Sequence, residues 1–491
     1  MSDFLLGYTS TSSVSTKSDS ESRQHIWQGY VQDDWKVTPT LTINAGLRYE
    51  LPLPFYETAN HYADVILEQG PLYGQLLNAS DAGQHGYRRS FVDPNLHNLA
   101  PRLGFAWQVD PKSVVRAAGG IFYGRNENVP VADRPTNNPP YYILSSYTSD
   151  QIDPSIVLAT GFPANAINPS NVVTPSVNSY LKHSPTPYVQ QWTLNIQRDF
   201  GLGFVGQVTY VGSSTHDLYY ANQIDQPSPG AGSIQARRPF PQYSALHAYA
   251  PLVDANYNSL QAQIERRFRN GFSLLSAYTW GHAIDNGPSQ VDTVAVPQNA
   301  FDFAAERGNS AFDVRNRLVA SVLYELPFGK GKPLFADSRI GNAIAGGWLL
   351  ATIFSAQSGL WFTPVESVDG SNTGTTEHPN RVGNGNLPSN QRTITHWFDT
   401  TAFTTPTQYT FGNSGRDILT GPGFHNIDFG LSRIINITER AHLEIRAEAF
   451  NLFNTPQFGL PNATLGQSTT AVISSVTNPQ RQIQLAARIQ F

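Results

Sequence analysis

Residues 41–50 read Leu-Thr-Ile-Asn-Ala-Gly-Leu-Arg-Tyr-Glu. In an extended chain, successive side chains point to opposite faces. Leu41, Ile43, Ala45, Leu47 and Tyr49 therefore share one face, and Thr42, Asn44, Gly46, Arg48 and Glu50 share the other. The period is two, with no helical spacing, over about ten residues, the length of a tilted membrane-crossing strand. The same alternation recurs at Trp192, Leu194 and Ile196, at Leu260, Ala262 and Ile264, at Leu443, Ile445 and Ala447, and finally at Ile483, Leu485, Ala487, Ile489 and Phe491. Polar residues such as Gln191, Gln261, Glu444 and Gln484 fill the intervening positions.

The connections between these stretches come in two sizes. Short ones are Val37–Thr40, Asp110–Lys112, Phe200–Gly203, Arg269–Gly271 and Asn436–Glu439. Long ones, rich in Pro, Gly, Asn and Ser, cover roughly 52–100, 125–187, 217–255, 284–309, 360–423 and 454–479; segment 328–346 is a longish turn on the short side. Short turns at one end and long loops at the other characterise outer-membrane barrels, whose long loops lie outside the cell. The reading is therefore all-β: an antiparallel transmembrane β-barrel, with about thirteen strands found and about fourteen expected because even numbers prevail. A possible extra strand lies near Phe4–Tyr8.

A soluble β-sandwich also alternates, with its apolar face inward. Three features oppose it. The chain ends on an aromatic, Phe491, in phase with the apolar set; Trp27, Trp35, Tyr49, Tyr123, Trp280 and Tyr324 fall near strand ends, as interfacial girdles require; and the charges in phase with the apolar set, Arg266 and Arg433, adjoin short turns. Near the interface a lipid-facing Arg costs little, whereas at mid-membrane it costs about 2–4 kcal/mol.

Composition agrees. Of the 491 residues only 14% are charged and 12% are aromatic, while Gly and Pro abound; that suits strands and turns better than soluble helices. A net charge of -5 without a basic run argues against nucleic acid as a partner. The chain has no cysteine, which excludes disulfides, thiol catalysis and thiolate metal sites. No apolar run approaches the roughly 20 residues of a membrane-spanning helix. The first twenty residues lack a basic-then-apolar export signal, so one is expected upstream.

Several segments resemble one family. VQDDW at 31–35 followed by TLTINAGLRYE at 40–50 resembles a strand pair of TonB-dependent outer-membrane receptors. NYNSLQAQIERRFRNGFSLLSAYTWGHAIDN at 256–286 resembles their Oar-like group more narrowly. So do DVRNRLVASVLYELPFGKGK at 313–332, GWLLATIFSAQSG at 347–359 and NLFNTPQFG at 451–459. The resemblance implies a barrel of about twenty-two strands holding an N-terminal plug, preceded by a carboxypeptidase-regulatory-like sandwich domain. Against that pattern, residues 1–491 look like a single domain, the C-terminal part of the barrel, a partial barrel without signal, regulatory-like domain, plug, TonB box or first strands. The resemblance also implies that Phe491 is the barrel assembly signal. Expected partners are outer-membrane lipid, the barrel-assembly machinery, an unidentified solute, and the TonB system only through the missing plug.

Enzymatic and metal readings find little support. The twelve His are scattered, with no two within five positions. Gly329-Lys330-Gly331-Lys332 lacks the phosphate-loop spacing. Asp369-Gly370-Ser371-Asn372 reads as a plain turn in preference to a Ca²⁺ loop. Asp33 and Asp34 point to opposite faces and cannot form an acid/base pair, and no Ser stands in a GxSxG context. No enzyme and no cofactor is expected. The polar set Arg48, Glu50, Glu265, Arg267, Arg317, Glu325, Glu444, Arg446, Glu448 and Arg488 mixes signs and reads as a lumen wall. Tyr141, Tyr142, Trp361 and Phe362 could stack on a ligand, although loop packing is the simpler role. The functional expectation is an outer-membrane, TonB-dependent, Oar-like transporter; a passive channel or adhesion barrel, and a soluble β-sandwich binding module, are the alternatives.

Overall fold

In the computed structural model, residues 7–16, 20–124, 134–149, 156–168, 174–287 and 297–491 are described. Thirteen long strands form one antiparallel meander: β1 (Ile26–Thr38), β2 (Leu41–Pro52), β3 (Leu99–Asp110), β4 (Ser113–Tyr123), β5 (Tyr188–Gly201), β6 (Phe204–Gln223), β7 (Ala245–Arg269), β8 (Phe272–Asp285), β9 (Asn316–Glu325), β10 (Trp348–Gln357), β11 (Phe424–Asn436), β12 (His442–Phe450) and β13 (Gln482–Gln490). Each pairs with its neighbours in chain order. Two short strands, Ser176–Tyr180 on β7 and Gly308–Asn309 on β8, complete a fifteen-stranded sheet. Among the described residues β1 pairs only with β2 and β13 only with β12, so the sheet is open. Among the described residues there are thirteen long strands, one short of the even number expected. Phe4, in the N-terminal candidate, lies outside the described residues, while Tyr8 bridges Val157 and Thr11–Ser15 pairs with Leu144–Thr148, away from the main sheet.

Turn chemistry fixes the tight end. Asn270 and Gly271 both have positive φ (53° and 75°), as a two-residue type I′ hairpin requires. Leu202 and Gly203 repeat the conformation between β5 and β6 (53° and 84°).

The register carries the period-two pattern across the sheet. Val31, Leu47 and Pro101 stand in one row, as do Trp35, Ile43 and Phe105, and Ala447 faces Leu485 as Leu443 faces Ile489. Arg48, Glu444 and Arg446 lie on the opposite face. The apolar face is exposed along its length: Val31 69%, Leu103 63%, Leu485 77% and Ile489 61%. A soluble sandwich would have buried these residues, and a patch of this extent in water would drive aggregation.

The register also corrects the count of charges on the apolar face. Besides Arg266 and Arg433, Asp33 stands opposite Ala45, and Arg198 stands opposite Gly206. Arg198 lies at the tight-turn end and bonds Ser113 Oγ at 2.7 Å, but Asp33 sits well inside its strand.

The buried core lies in the long loops and in the loop-end stretches of the strands that reach into them. One cluster joins Phe362, Phe398, Phe403 and Leu419; a second joins Tyr62, Ile66, Leu77 and Phe91; a third joins Val65, Val177, Phe240 and Leu246. The loop expected over 217–255 is shorter than it reads, since β6 runs to Gln223 and β7 starts at Ala245. A 25-residue strand far exceeds the roughly ten residues a membrane strand needs. Its first half, with Leu246, Ala248 and Tyr249, is buried in the loop layer, and its second half, with Leu260 and Ile264, is exposed. Residues 245–255, Ala-Leu-His-Ala-Tyr-Ala-Pro-Leu-Val-Asp-Ala, are apolar on both faces and do not alternate, which hid the strand.

Candidate functional site: the polar wall and the loop layer

On the polar face, charges pair along strands. Arg48 Nε lies 2.7 Å from Glu50 Oε1, Arg446 lies 3.6 Å from Glu444 and 4.0 Å from Glu448, and Arg267 lies 3.6 Å from Glu265. Lys332 Nζ reaches Glu325 at 2.5 Å. Arg317 and Arg488 share this face, opposite Gln357 and Glu444. Amides extend the lattice: Arg116 donates to Gln197 at 2.7 Å, Asn195 to Thr209 at 2.7 Å, and Gln207 to Gln263 at 3.0 Å. The wall is polar, of mixed sign and largely self-paired.

Two features interrupt it, and neither was read from the sequence. Gly46, Gly104, Ala118 and Gly120 lack large side chains in adjacent rows of β2–β4, leaving a groove of about 460 Å³ bordered by Gln32, Asn44, Arg102, Phe122 and Gln191. The Arg102 guanidinium lies 4.3 Å over the Phe122 ring, and a Cβ on Gly120 would meet Arg102 Cγ at 2.9 Å, so this glycine lets the Arg102 stem lie flat. The second feature is an apolar patch: Leu275, Leu323 and Ile353 stand on the polar face of β8, β9 and β10, and all three are exposed. The run Leu274-Leu275 conceals it, because one leucine serves each face.

The loop layer is held by buried carboxylates. Arg416 bridges Asp285 and Asp417, the latter at 3.0 Å, and donates to the Glu306 carbonyl at 2.9 Å. Asp417 also accepts from Thr363 Oγ1 at 3.0 Å. Asp64 accepts from the Tyr180 backbone N–H at 3.2 Å, and Asn138 donates to the carbonyls of Ala63 (2.6 Å) and Asn178 (2.8 Å), tying distant loops together. Burial pushes Asp64 well above the ordinary carboxylate range and raises Asp417 despite Arg416. Burial also raises Asp225 to about 6, although the Phe240 N–H and Arg238 pull the other way. Glu366 is raised by burial and by Glu377.

The ligand-stacking candidates fall into separate clusters. Tyr141 packs against His61 at 5.2 Å, and Tyr142 is half-buried beside it in sequence. Phe362 is core, packed edge-to-face against Phe398 at 5.8 Å, and Trp361 Nε1 donates to Asp313 at 3.0 Å under the Arg315 guanidinium. For Trp361 and Phe362 the geometry favours loop packing. Asp369 is a turn organiser: its oxygens accept from the N–H groups of Thr373 (3.1 Å) and Gly374 (2.7 Å). Asp33 and Asp34 point to opposite faces, Asp34 accepting from Asn44 at 2.5 Å. Among the described residues no group of three or more His, Asp or Glu is placed to hold a metal, and no helix is long and apolar enough to cross a membrane.

An open antiparallel sheet with an exposed apolar face, a polar face and loops sorted to one end has its counterpart in a family model, described as outer membrane beta barrel domain, that matches residues 1–484. The chain belongs to this outer membrane beta barrel family. Its place is the cell outer membrane, and the family is one of membrane barrels and not of enzymes. Solved structures give a weaker likeness. The barrel is similar to the outer membrane transporter YddB from Escherichia coli (11% identity, TM-score 0.47, 95% of this chain and 45% of that one). It is also similar to the siderophore receptor PiuA from Acinetobacter baumannii (7%, 0.46, 96% and 43%) and to the ferripyoverdine receptor of Pseudomonas aeruginosa (9%, 0.45, 96% and 39%). The chain spans less than half the length of each of these. No curated protein matches the sequence. For this outer membrane beta barrel protein, the aromatic residues order themselves as the sequence suggests. Trp35, Tyr324 and Trp348 mark the tight-turn end of the apolar face, and Trp27, Tyr49, Tyr123 and Trp280 mark the loop end.

Proposed function

We propose that residues 1–491 are one domain, the C-terminal part of the barrel of a TonB-dependent, Oar-like transporter that takes up a solute across the outer membrane. The observation carrying this reading is the polar wall. A water-filled pore gains nothing from exposing Leu275, Leu323 and Ile353 to its lumen, nor from a glycine-lined groove beside Arg102. A wall with paired charges, a groove and an apolar patch suits a folded plug seated against it, which favours a plugged transporter over a passive channel. The apolar face meets lipid, the loop layer receives the solute, and the TonB system acts on the plug. The barrel-assembly machinery inserts the strands, with Phe491 as its signal.

The test is twofold. DNA upstream of the Met1 codon is expected to encode a plug and a TonB box, and solute uptake by cells carrying the complete gene is expected to fall at least about tenfold when TonB is deleted, the loss of an obligatory energy input. Uptake unchanged without TonB, or steady ion conductance through the complete protein in planar bilayers, indicates a passive channel instead.

A further inference from the structure

The connection between β9 and β10, residues 326–347, is the longest at the tight-turn end, and the transport reading leaves it without a role. It contains a short helix, α1 (Arg339–Ala345), whose start is capped by Ser338 Oγ accepting from the Gly341 N–H at 2.9 Å. The helix end is tied to the apolar face of the sheet. Arg433 and Trp348 stand opposite each other on that face, the guanidinium 5.8 Å from the indole ring. Arg433 donates to the carbonyls of Ala343 (2.7 Å) and Ile344 (3.1 Å), and Trp348 Nε1 donates to Ile344 at 3.0 Å. These bonds satisfy carbonyls that a helix end leaves free, and they place α1 against the outer rim. Lys332, earlier in the segment, pairs with Glu325 on the polar face, so the connection straddles the rim and its helical half hangs outward.

That half carries an apolar surface that no described residue covers. Ile340 is 74% exposed and Ile344, one turn on and on the same helix face, is 70% exposed. Phe335 and Leu334, just before the helix, are exposed as well, the Phe335 ring tilted against Phe328 at 5.9 Å. With Lys332 taken by Glu325, Lys330 and Arg339 against Asp337 leave the segment one net positive charge. Through Trp348 this surface is continuous with the apolar band of the strands, and its charge complements anionic headgroups.

We propose that residues 334–345 form an in-plane foot lying in the headgroup region of the membrane leaflet on the tight-turn side, with Ile340 and Ile344 inserted among phospholipid acyl chains and Arg339, with Lys330 just before the foot, beside the phosphates. Resting on the reading of the apolar face as the lipid face, the foot adds a second, horizontal contact with the same bilayer. It fixes how deep the β9–β10 hairpin sits.

The chain has no cysteine, so single-cysteine variants label cleanly. Ile340→Cys, Ile344→Cys, Leu260→Cys on the apolar face and Gln261→Cys on the polar face are each made in the full chain, nitroxide-labelled and inserted into vesicles of phosphatidylethanolamine and phosphatidylglycerol. Collision with dioxygen, which partitions into lipid, is compared with collision with a water-soluble nickel chelate. At 340 and 344 the oxygen-to-nickel ratio is expected to exceed that at 261 by at least about fivefold, as it is at 260. If 260 meets lipid while 340 and 344 are as open to nickel as 261, the foot is wrong and the apolar face stands; a surface built for a protein partner gives this same result, because the vesicles contain no other protein. If 260 is itself open to nickel, the lipid-facing reading falls and the foot with it.

Discussion

Leu202 and Asn270 occupy the same backbone position in two tight hairpins, each followed by a glycine and each with φ 53°. Asparagine tolerates this left-handed region, whereas leucine crowds its own carbonyl there and gains nothing in return, its side chain being 78% exposed. Leu202→Asn is therefore expected to stabilise the β5–β6 hairpin by about 0.5–1 kcal/mol, read as a higher midpoint of urea unfolding from vesicles. Arg416 is the opposite case, a residue whose surroundings depend on it. Removing its guanidinium leaves Asp285 and Asp417, both buried, facing each other without a cation. Arg416→Ala is expected to cost the loop layer about 3–5 kcal/mol, the usual penalty for stranding one side of a buried pair. Faster protease cleavage within 286–315 and 358–423, with the strands still protected, would register it.

Among the elements, β13 is the one with a free edge and a terminal aromatic. It has β12 on one side and no partner on the other among the described residues, and Phe491 beyond it is fully exposed. An unpaired strand must hand its backbone groups to a partner quickly in a membrane. If Phe491 is the assembly signal, its deletion from the chain supplied with an export signal, plug and upstream strands sharply lowers heat-modifiable, membrane-inserted protein, with degradation in the periplasm. Normal insertion of the deletion variant would reduce Phe491 to an ordinary end residue. The paired strands β6 and β7 behave differently: they leave the membrane zone and become walls of the loop layer, which is where their alternation turns from exposed to buried.

At the scale of the whole molecule the chain is a membrane sheet carrying a water-soluble cap, and acid acts on the cap. Asp225, raised to about 6, takes up its proton in the folded state at a higher pH than in the unfolded chain. The penalty for ionising it in place is fully present above about pH 6 and is relieved as pH falls from there toward the ordinary carboxylate range near about 4. Asp64, Asp417 and Glu366 are raised in the same direction. Glu57 opposes them only at lower pH: burial pushes it up, but N–H groups of His61, Glu21 and Ala59 hold it below its ordinary value. Amide hydrogen exchange in the loop segments, corrected for intrinsic rate, is expected to be slower at about pH 5 than at about pH 7.5. Faster exchange at the lower pH would mean that these carboxylates are better paired than their burial implies.

The sequence by itself determined what depends on near neighbours. Period two settled which residues of each strand share a face, the Asn270-Gly271 and Pro111-Lys112 turns settled where the chain reverses, and turn length sorted the two ends. Mixed charge on the lumen face was legible for the same reason, since Arg48 and Glu50 are two residues apart on one strand. Tertiary structure alone decided the rest, because it rests on residues far apart in the chain. Arg416 meets Asp285 across 131 positions, and Asn138 reaches Ala63 across 75. The groove needs glycines of β2, β3 and β4 brought into adjacent rows, and the luminal patch needs Leu275, Leu323 and Ile353 aligned by register. Local spacing fixes the direction of a side chain, but only strand pairing fixes what stands beside it.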